Sequence, residues 1–251
     1  AYEISSCDWS SDVCSSDLED ITQSAGRLFL RGSKFHCPLC QTSYSFFLRM
    51  GKPIRPNARC PGCGSLERHR LLWAGLEQYY KKGVLKIGGR LLHMAPEPCI
   101  ARRLQESYEC ISADMGAMNV QVRTDVTQLC FPDSCFDVVI CNHVLEHVPE
   151  DAKALSEVYR VLKPGGWASL QVPIAGEHTQ EDLSICDPLT RTRLYGQSDH
   201  VRQYGTDFAN RVKAAGFDAL VVHKDSFLSP TELSRLSVAC EDALILGLKP
   251  L

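Results

Sequence analysis

Cys37-Pro38-Leu39-Cys40 and Cys60-Pro61-Gly62-Cys63 each hold two thiols across a two-residue spacer, the interval that lets one turn present both sulfurs to the same ion. Two such pairs predict a tetrahedral structural zinc ion with Cys37, Cys40, Cys60 and Cys63 as its ligands. Pro61 and Gly62 favour the turn that the second pair needs. His36 and His69 lie close in sequence, but with four cysteines at good spacing they read as neighbours rather than ligands. Further on, carboxylates and imidazoles recur at the ends of short apolar runs. Asp114 follows one such run, where a carboxylate can accept two hydrogen bonds from ribose hydroxyls. His143, His147 and His200 are candidate bases, since an imidazole can take a proton from a reacting group near neutral pH.

Alternating elements must position these groups. Runs of strand character lie at Arg90 to Met94, Glu109 to Ala113, around Gln121 to Thr124, Phe136 to Cys141, Trp167 to Val172, Ala219 to His223 and Ala243 to Leu248. Helical stretches between them cover Ile100 to Gln105, Glu150 to Leu162 and Thr206 to Ala215. In the middle one Ala154, Leu155, Val158, Val161 and Leu162 keep the 3.6-residue period, and Lys163-Pro164-Gly165-Gly166 is read as its stop. The alternation predicts a Rossmann-like, doubly wound α/β fold with a mostly parallel seven-stranded sheet. A small zinc ribbon precedes it, and the ligand belongs at the carboxyl ends of the strands. A further helix over Leu66 to Gly83 joins ribbon to sheet, with Leu66, Leu72, Trp73, Leu76 and Tyr80 largely on one face.

The domain reading follows: a disordered leader over residues 1–25, the ribbon and linking helix over 26–83, and the catalytic domain over 84–251. Within the leader, residues 8–18 read as a translated sequencing adapter, so Cys7 and Cys14 carry no weight. The net charge of -3 conceals an uneven distribution, for residues 26–82 hold eleven Lys/Arg against Glu67 and Glu77. A cationic ribbon would attract nucleic acid, an anionic substrate or an acidic partner. The thirteen cysteines, mostly scattered singly, suit a reducing compartment better than a disulfide framework. Without a membrane-length apolar run or a secretory signal, the expectation is a cytoplasmic protein with no membrane partner.

The chain from about residue 88 to 248 resembles class I S-adenosylmethionine-dependent methyltransferases. The likeness rests on Asp133-Ser134-Cys135-Phe136-Asp137-Val138-Val139-Ile140-Cys141-Asn142-His143-Val144-Leu145-Glu146-His147-Val148, followed by Glu157-Val158-Tyr159-Arg160-Val161-Leu162-Lys163-Pro164-Gly165-Gly166. The resemblance implies that S-adenosylmethionine is the cofactor. It also implies that Ala95, Pro96, Glu97, Asp114, Met115, Asp125, Val126, Thr127, Asn142 and His143 line its site, with Asp125 on the adenine amino group. The departure is the loop after the first strand, Met94-Ala95-Pro96-Glu97-Pro98, where the family's glycines are replaced and Glu97 is placed to meet the cofactor's cationic end.

Residues 175–204 read as a long polar insertion of the kind that forms lids. At its end Asp199, Arg202 and Tyr204 are candidate substrate-binding residues, with Arg202 as an anion clamp and His200 as base. Methyl transfer to a small metabolite or sugar-type acceptor is the leading functional expectation. An RNA methyltransferase docking through the basic ribbon, and a non-catalytic zinc adaptor with a vestigial Rossmann domain, are the alternatives.

Overall fold

The computed structural model describes residues 28–51, 53–238 and 243–251. The leader over residues 1–25, with its adapter-like run and Cys7 and Cys14, lies outside the described residues. Two compact units emerge, and the division falls between Arg70 and Leu71. The first unit also takes in the chain from Pro230 onward to Val238.

In the first unit, β1 (Arg31–Cys37) pairs antiparallel with β2 (Thr42–Tyr44), and β3 (Leu48–Met50) with β4 (Arg55–Arg59). Each CxxC pair sits at the end of one of these hairpins. A core this small is built from Phe35, Tyr44, Phe47 and Ala58, all buried. The Phe35 and Phe47 rings lie 5.3 Å apart. Arg70, at the start of helix α1 (Glu67–Lys81), is fully buried. It donates to the carbonyls of Ala58 at 3.0 Å and Ser65 at 2.8 Å, and to Leu236 at 2.6 Å and Ser237 at 3.0 Å. Its guanidinium also stacks 4.5 Å over the Phe47 ring. Five donors in a rigid fork allow one side chain to tie strand, turn and the segment after α6 (Pro230–Leu236) together, which explains why that distant segment belongs here.

The second unit is the expected seven-stranded α/β sheet. Its strands are β5 (Arg90–Met94), β6 (Glu109–Asp114), β7 (Val122–Arg123), β8 (Phe136–Cys141), β9 (Leu162–Ser169), β12 (Asp218–His223) and β13 (Ala243–Leu248). They lie in the order β12-β13-β9-β8-β5-β6-β7, and only β13 runs antiparallel to its neighbours. The order reverses between β5 and β8, the switch point where such sheets open a crevice at the strand ends. Leu92, Met94, Val139 and Cys141 face one side and pack with Ala154, Leu155, Val158 and Val161 of α3 (Asp151–Val161) and with Phe208 and Val212 of α5 (Phe208–Ala214). Alternation sends Leu91, His93, Val138 and Ile140 to the other side, where they are equally buried. Burial on both faces is why β8 reads as an unbroken apolar run from Val138 to Cys141.

Two expectations are corrected. The segment Lys163 to Gly166 does not merely end α3, because β9 begins at Leu162 and pairs Phe136 with Leu162, then Val138 with Trp167. The four residues between bulge outward against a single residue on β8, held where Lys163 Nζ meets Asp137 Oδ2 at 2.8 Å and Gly165 takes a φ of +74°. Nor is the insertion over 175–204 structureless. β10 (Gln180–Glu181) pairs with β11 (Arg202–Gln203), and α4 (Pro188–Tyr195) runs between them. Asp187 caps α4 by accepting from the Thr190 amide at 2.7 Å, Pro188 supplies the first turn, and Gly196 closes it at φ +90°. No helix among the described residues is long and apolar enough to cross a membrane.

Candidate functional site

The ends of β5, β6, β7 and β8 carry the residues that the sequence put at a cofactor. After β5 the chain turns at Ala95, which adopts φ +44° and donates its amide to the Ala113 carbonyl at 2.9 Å. A residue with a Cβ here holds the left-handed backbone that glycine favours, at a cost of about 1–2 kcal/mol. Pro96 and Glu97 follow, and Glu97 stands immediately before α2 (Pro98–Leu104) with Pro98 in the first turn.

At the end of β6, Asp114 Oδ1 accepts from the amides of Gly116 at 2.7 Å and Ala117 at 2.8 Å. That fixes the carboxylate and leaves Oδ2 without a protein partner among the described residues. Met115 beside it is exposed. Past β7, Asp125 Oδ1 accepts from the Thr127 amide at 2.8 Å and hydroxyl at 2.9 Å, while Val126 packs into the core.

After β8, Asn142 is buried, and its Oδ1 accepts from Ser169 Oγ at 2.8 Å and the Gln171 amide at 3.2 Å. Its Nδ2 is buried with no partner. An amide held so firmly at one end, with donors unused at the other, is what a ligand at the strand ends would complete. His143 takes φ +54°, donates its amide to Gln171 O at 2.7 Å, and places Nδ1 3.2 Å from Glu146 Oε1. The rigid Ala95 turn, the fixed Asp114 carboxylate and the unused Asn142 donors suit a nucleoside-bearing cofactor.

The histidines expected as bases converge. His147 and His200 stack edge to face at 4.8 Å. Asp199, expected to bind substrate, instead places Oδ2 3.1 Å from His147 Nδ1. Arg202 and Tyr204 do not serve an open cleft. Arg202 is only 1% exposed, and its donors go to Glu181 Oε2 at 2.8 Å and to the carbonyls of Leu145, Val148 and Pro149. Tyr204 is fully buried and donates to Asp151 Oδ2 at 2.8 Å. These contacts pin the insertion to the turn after β8, so the anion-clamp expectation is corrected to a structural one.

Two residues escaped the sequence reading. Glu146, three positions from His143 in the turn Leu145–His147, is nearly fully buried. His93 is 2% exposed on the apolar face of β5, and its Nε2 has no partner. Burial pushes its pKa down to about 4, partly opposed by the Glu97 charge. Because the unfolded chain binds the extra proton between about pH 6.5 and 4, stability falls as pH drops through that window. The expected loss for His93 is about 3 kcal/mol, from 1.36 kcal/mol per pKa unit. Melting curves of wild type and His93→Gln between pH 7 and 4 check this, and parallel pH profiles would contradict it.

In the first unit the four sulfurs form one cluster, all within 4.8 Å of one another. Cys37 and Cys63 Sγ are 3.5 Å apart, and Cys40 and Cys60 Sγ 3.7 Å. Tetrahedral zinc with bonds of about 2.3 Å needs sulfurs about 3.8 Å apart, so the donor set fits that ion. Hydrogen bonds among the thiols hold Cys40 and Cys63 below the usual thiol range and push Cys37 and Cys60 above it. That pattern arises because four neighbouring thiolates cannot all ionise without a cation between them. The basic face is smaller than the charge count implies. Arg70 is interior, and Arg55 forms a bidentate pair with Glu67 at 3.1 Å.

Residues 99–170 match the methyltransferase domain family, a span that opens just past the Ala95–Pro98 turn and closes after β9. A ubiquinone/menaquinone biosynthesis C-methyltransferase, UbiE, from Brucella anthropi is 27% identical over 150 residues, covering 54% of this chain and 53% of that protein. The chain thus spans about half the length of the curated relatives it matches. Among solved structures, the 1,6-didemethyltoxoflavin-N1-methyltransferase of Burkholderia thailandensis is 15% identical, with a TM-score of 0.49 over 72% of this chain and 78% of that one. The YcgJ protein from Bacillus subtilis is 20% identical, with a TM-score of 0.48 over 73% of this chain and 99% of that one. The domain match falls wholly within the second unit and, with the curated relatives, makes that unit similar to S-adenosylmethionine-dependent methyltransferase domains.

Proposed function

We propose that the chain binds S-adenosylmethionine at the carboxyl ends of β5 to β8, catalyses methyl transfer to a small-molecule acceptor, and carries a structural zinc ion on Cys37, Cys40, Cys60 and Cys63. The observation that carries the first part is Asp114, whose carboxylate is fixed by two amides with one oxygen left over. It would accept from the ribose hydroxyls, Asp125 would meet the adenine amino group, and the Asn142 amide and the Ala95 turn would border the remainder. The cofactor, when bound, supplies an activated methyl group.

What the chain's own side chains add is position and a base. A nucleophile held in line forms its bond to the methyl carbon as the carbon–sulfur bond breaks and its electrons pass to sulfur. With Glu146 Oε1 accepting from His143 Nδ1, His143 Nε2 keeps its lone pair and takes the proton that the acceptor loses. His143 is a quarter exposed, which gives an acceptor access to it. The small-molecule class follows the curated relatives, whose printed name places them in quinone biosynthesis.

Asp114→Asn is expected to weaken cofactor binding by about 10–100-fold, the worth of a charge-assisted hydrogen bond. Calorimetry with S-adenosylmethionine and with S-adenosylhomocysteine measures it, and circular dichroism confirms the fold. An unchanged affinity would remove Asp114 from the site.

A further inference from the structure

Glu146, His147 and His200 each offer one ligand atom, and the three atoms lie within 4.8 Å of one another. Two of these side chains are deeply buried, with Glu146 at 2% and His200 at 3% exposure. Glu146 Oε2 and His200 Nε2 are both buried without a hydrogen-bond partner. Each such atom costs about 1–3 kcal/mol if nothing meets it, so a fold that keeps two side by side keeps them for a ligand.

The remaining contacts say which ligand. His200 Nδ1 lies 2.9 Å from the Tyr195 carbonyl, which requires the proton on Nδ1 and leaves the lone pair on Nε2. His147 Nδ1 lies 3.1 Å from Asp199 Oδ2, which places its proton in the same way. Glu146 is anchored through Oε1 to His143 Nδ1 at 3.2 Å, so Oε2 is the oxygen left over. Two imidazoles, each with Nδ1 tied to an oxygen acceptor, beside one carboxylate, are the outer contacts that orient metal-bound histidines.

We propose that Glu146, His147 and His200 form a second metal site, separate from the four cysteines, that takes a divalent first-row transition metal such as zinc through two nitrogens and one oxygen. Three protein ligands leave coordination positions open, the arrangement of a site that binds substrate rather than one that only braces the fold. Resting on the methyl-transfer reading above, the acceptor class becomes one that presents a hydroxyl or carboxylate oxygen. An ion in that position would lower the pKa of such an oxygen, and His143, sharing Glu146, stands beside it to collect the proton.

Cobalt separates the two sites by colour, because thiolate ligation gives an intense charge-transfer band and a nitrogen–oxygen set gives only weak d–d bands. Chelator-stripped full-length protein titrated with Co2+ is expected to take up two equivalents, one of each spectral kind. Glu146→Gln and His200→Gln should each remove the weak bands and one equivalent while the thiolate band stays, with circular dichroism showing the fold retained. Asp199→Asn alters a half-exposed residue and so tests the site without disturbing the interior; it should weaken the second equivalent by about 10–100-fold. Uptake of the thiolate-bound equivalent alone by wild type, or full retention of both in the Glu146 and His200 variants, overturns the proposal. Cofactor calorimetry on the same preparations separates the readings: a second cobalt site without cofactor binding sinks methyl transfer and leaves the metal site standing, whereas cofactor binding without a second cobalt site does the reverse.

Discussion

Replacing Cys60 and Cys63 together by Ser is expected to abolish the thiolate-bound metal and unfold the first unit, the largest effect any substitution in this chain should have. Two-stranded sheets are marginal in water, and here two of them share a core of a few aromatic rings. Binding at structural zinc sites is worth about 10–16 kcal/mol and in such modules is the folding free energy itself. Arg70 adds to the dependence. Burial lowers its pKa while the charges of Cys37, Glu67, Cys60 and Cys63 oppose that shift, so the sulfur cluster shares with Glu67 the counter-charge of the guanidinium. Losing two sulfurs and the metal removes part of that compensation and leaves the buried cation to Glu67, the remaining thiols and the surrounding carbonyls. Zinc content, the cobalt charge-transfer band and limited proteolysis between residues 28 and 70 measure the outcome. A variant that kept the charge-transfer band and resisted proteolysis would defeat the four-cysteine assignment.

The sequence discloses most where one physical requirement dominates a run of residues. β8 and β13 end where their apolar runs end, because an interior strand is buried on both faces; only Asp137, near the start of β8, breaks the pattern. α3 is equally plain, since its period-3.6 stripe is the face that packs on the sheet. α4 was hidden by the absence of any such stripe: of its eight residues only Tyr195 is buried, and the helix is announced instead by the Asp187 cap and Pro188. The bulge in β9 was hidden for a related reason, as Pro164 and the two glycines after it signal a turn wherever they stand. At the site, residues on strand ends were legible because the fold places its ligand there, and the left-handed turn at Ala95 occupies the position where a glycine was expected. Residues whose role depends on distant partners were not. Glu146 reads as one more polar residue in a short turn until His143 and His200 are brought to it, and Arg70 reads as surface charge until carbonyls from three segments close around it.

Arg202 is the sharpest such case, and Arg202→Met is expected to destabilise the second unit by about 3–5 kcal/mol, the cost of removing one partner from a buried ion pair. Its guanidinium is surrounded by Glu181 and the carbonyls of Leu145, Val148 and Pro149, with Asp151 Oδ2 at 3.8 Å. Methionine fills the stem's volume but leaves the Val148 and Pro149 carbonyls without donors, while the Leu145 carbonyl keeps the Tyr204 hydroxyl and the Val148 amide. Arg211 reaches Asp151 at 2.9 Å and Glu181 at 2.8 Å, so the two carboxylates keep one cation and the unit weakens rather than collapses. Arg202→Lys should recover only part of the loss, because a single ammonium cannot span three carbonyls and a carboxylate in the plane of a guanidinium. Urea denaturation with an unchanged slope measures the stability term. Were Arg202 a substrate clamp, the same variants would unfold at the wild-type midpoint and raise KM alone. Since the Leu145 and Val148 carbonyls flank the turn that carries Glu146 and His147, the destabilised variant should also bind the second cobalt equivalent more weakly, linking the strut to the imidazole cluster it supports.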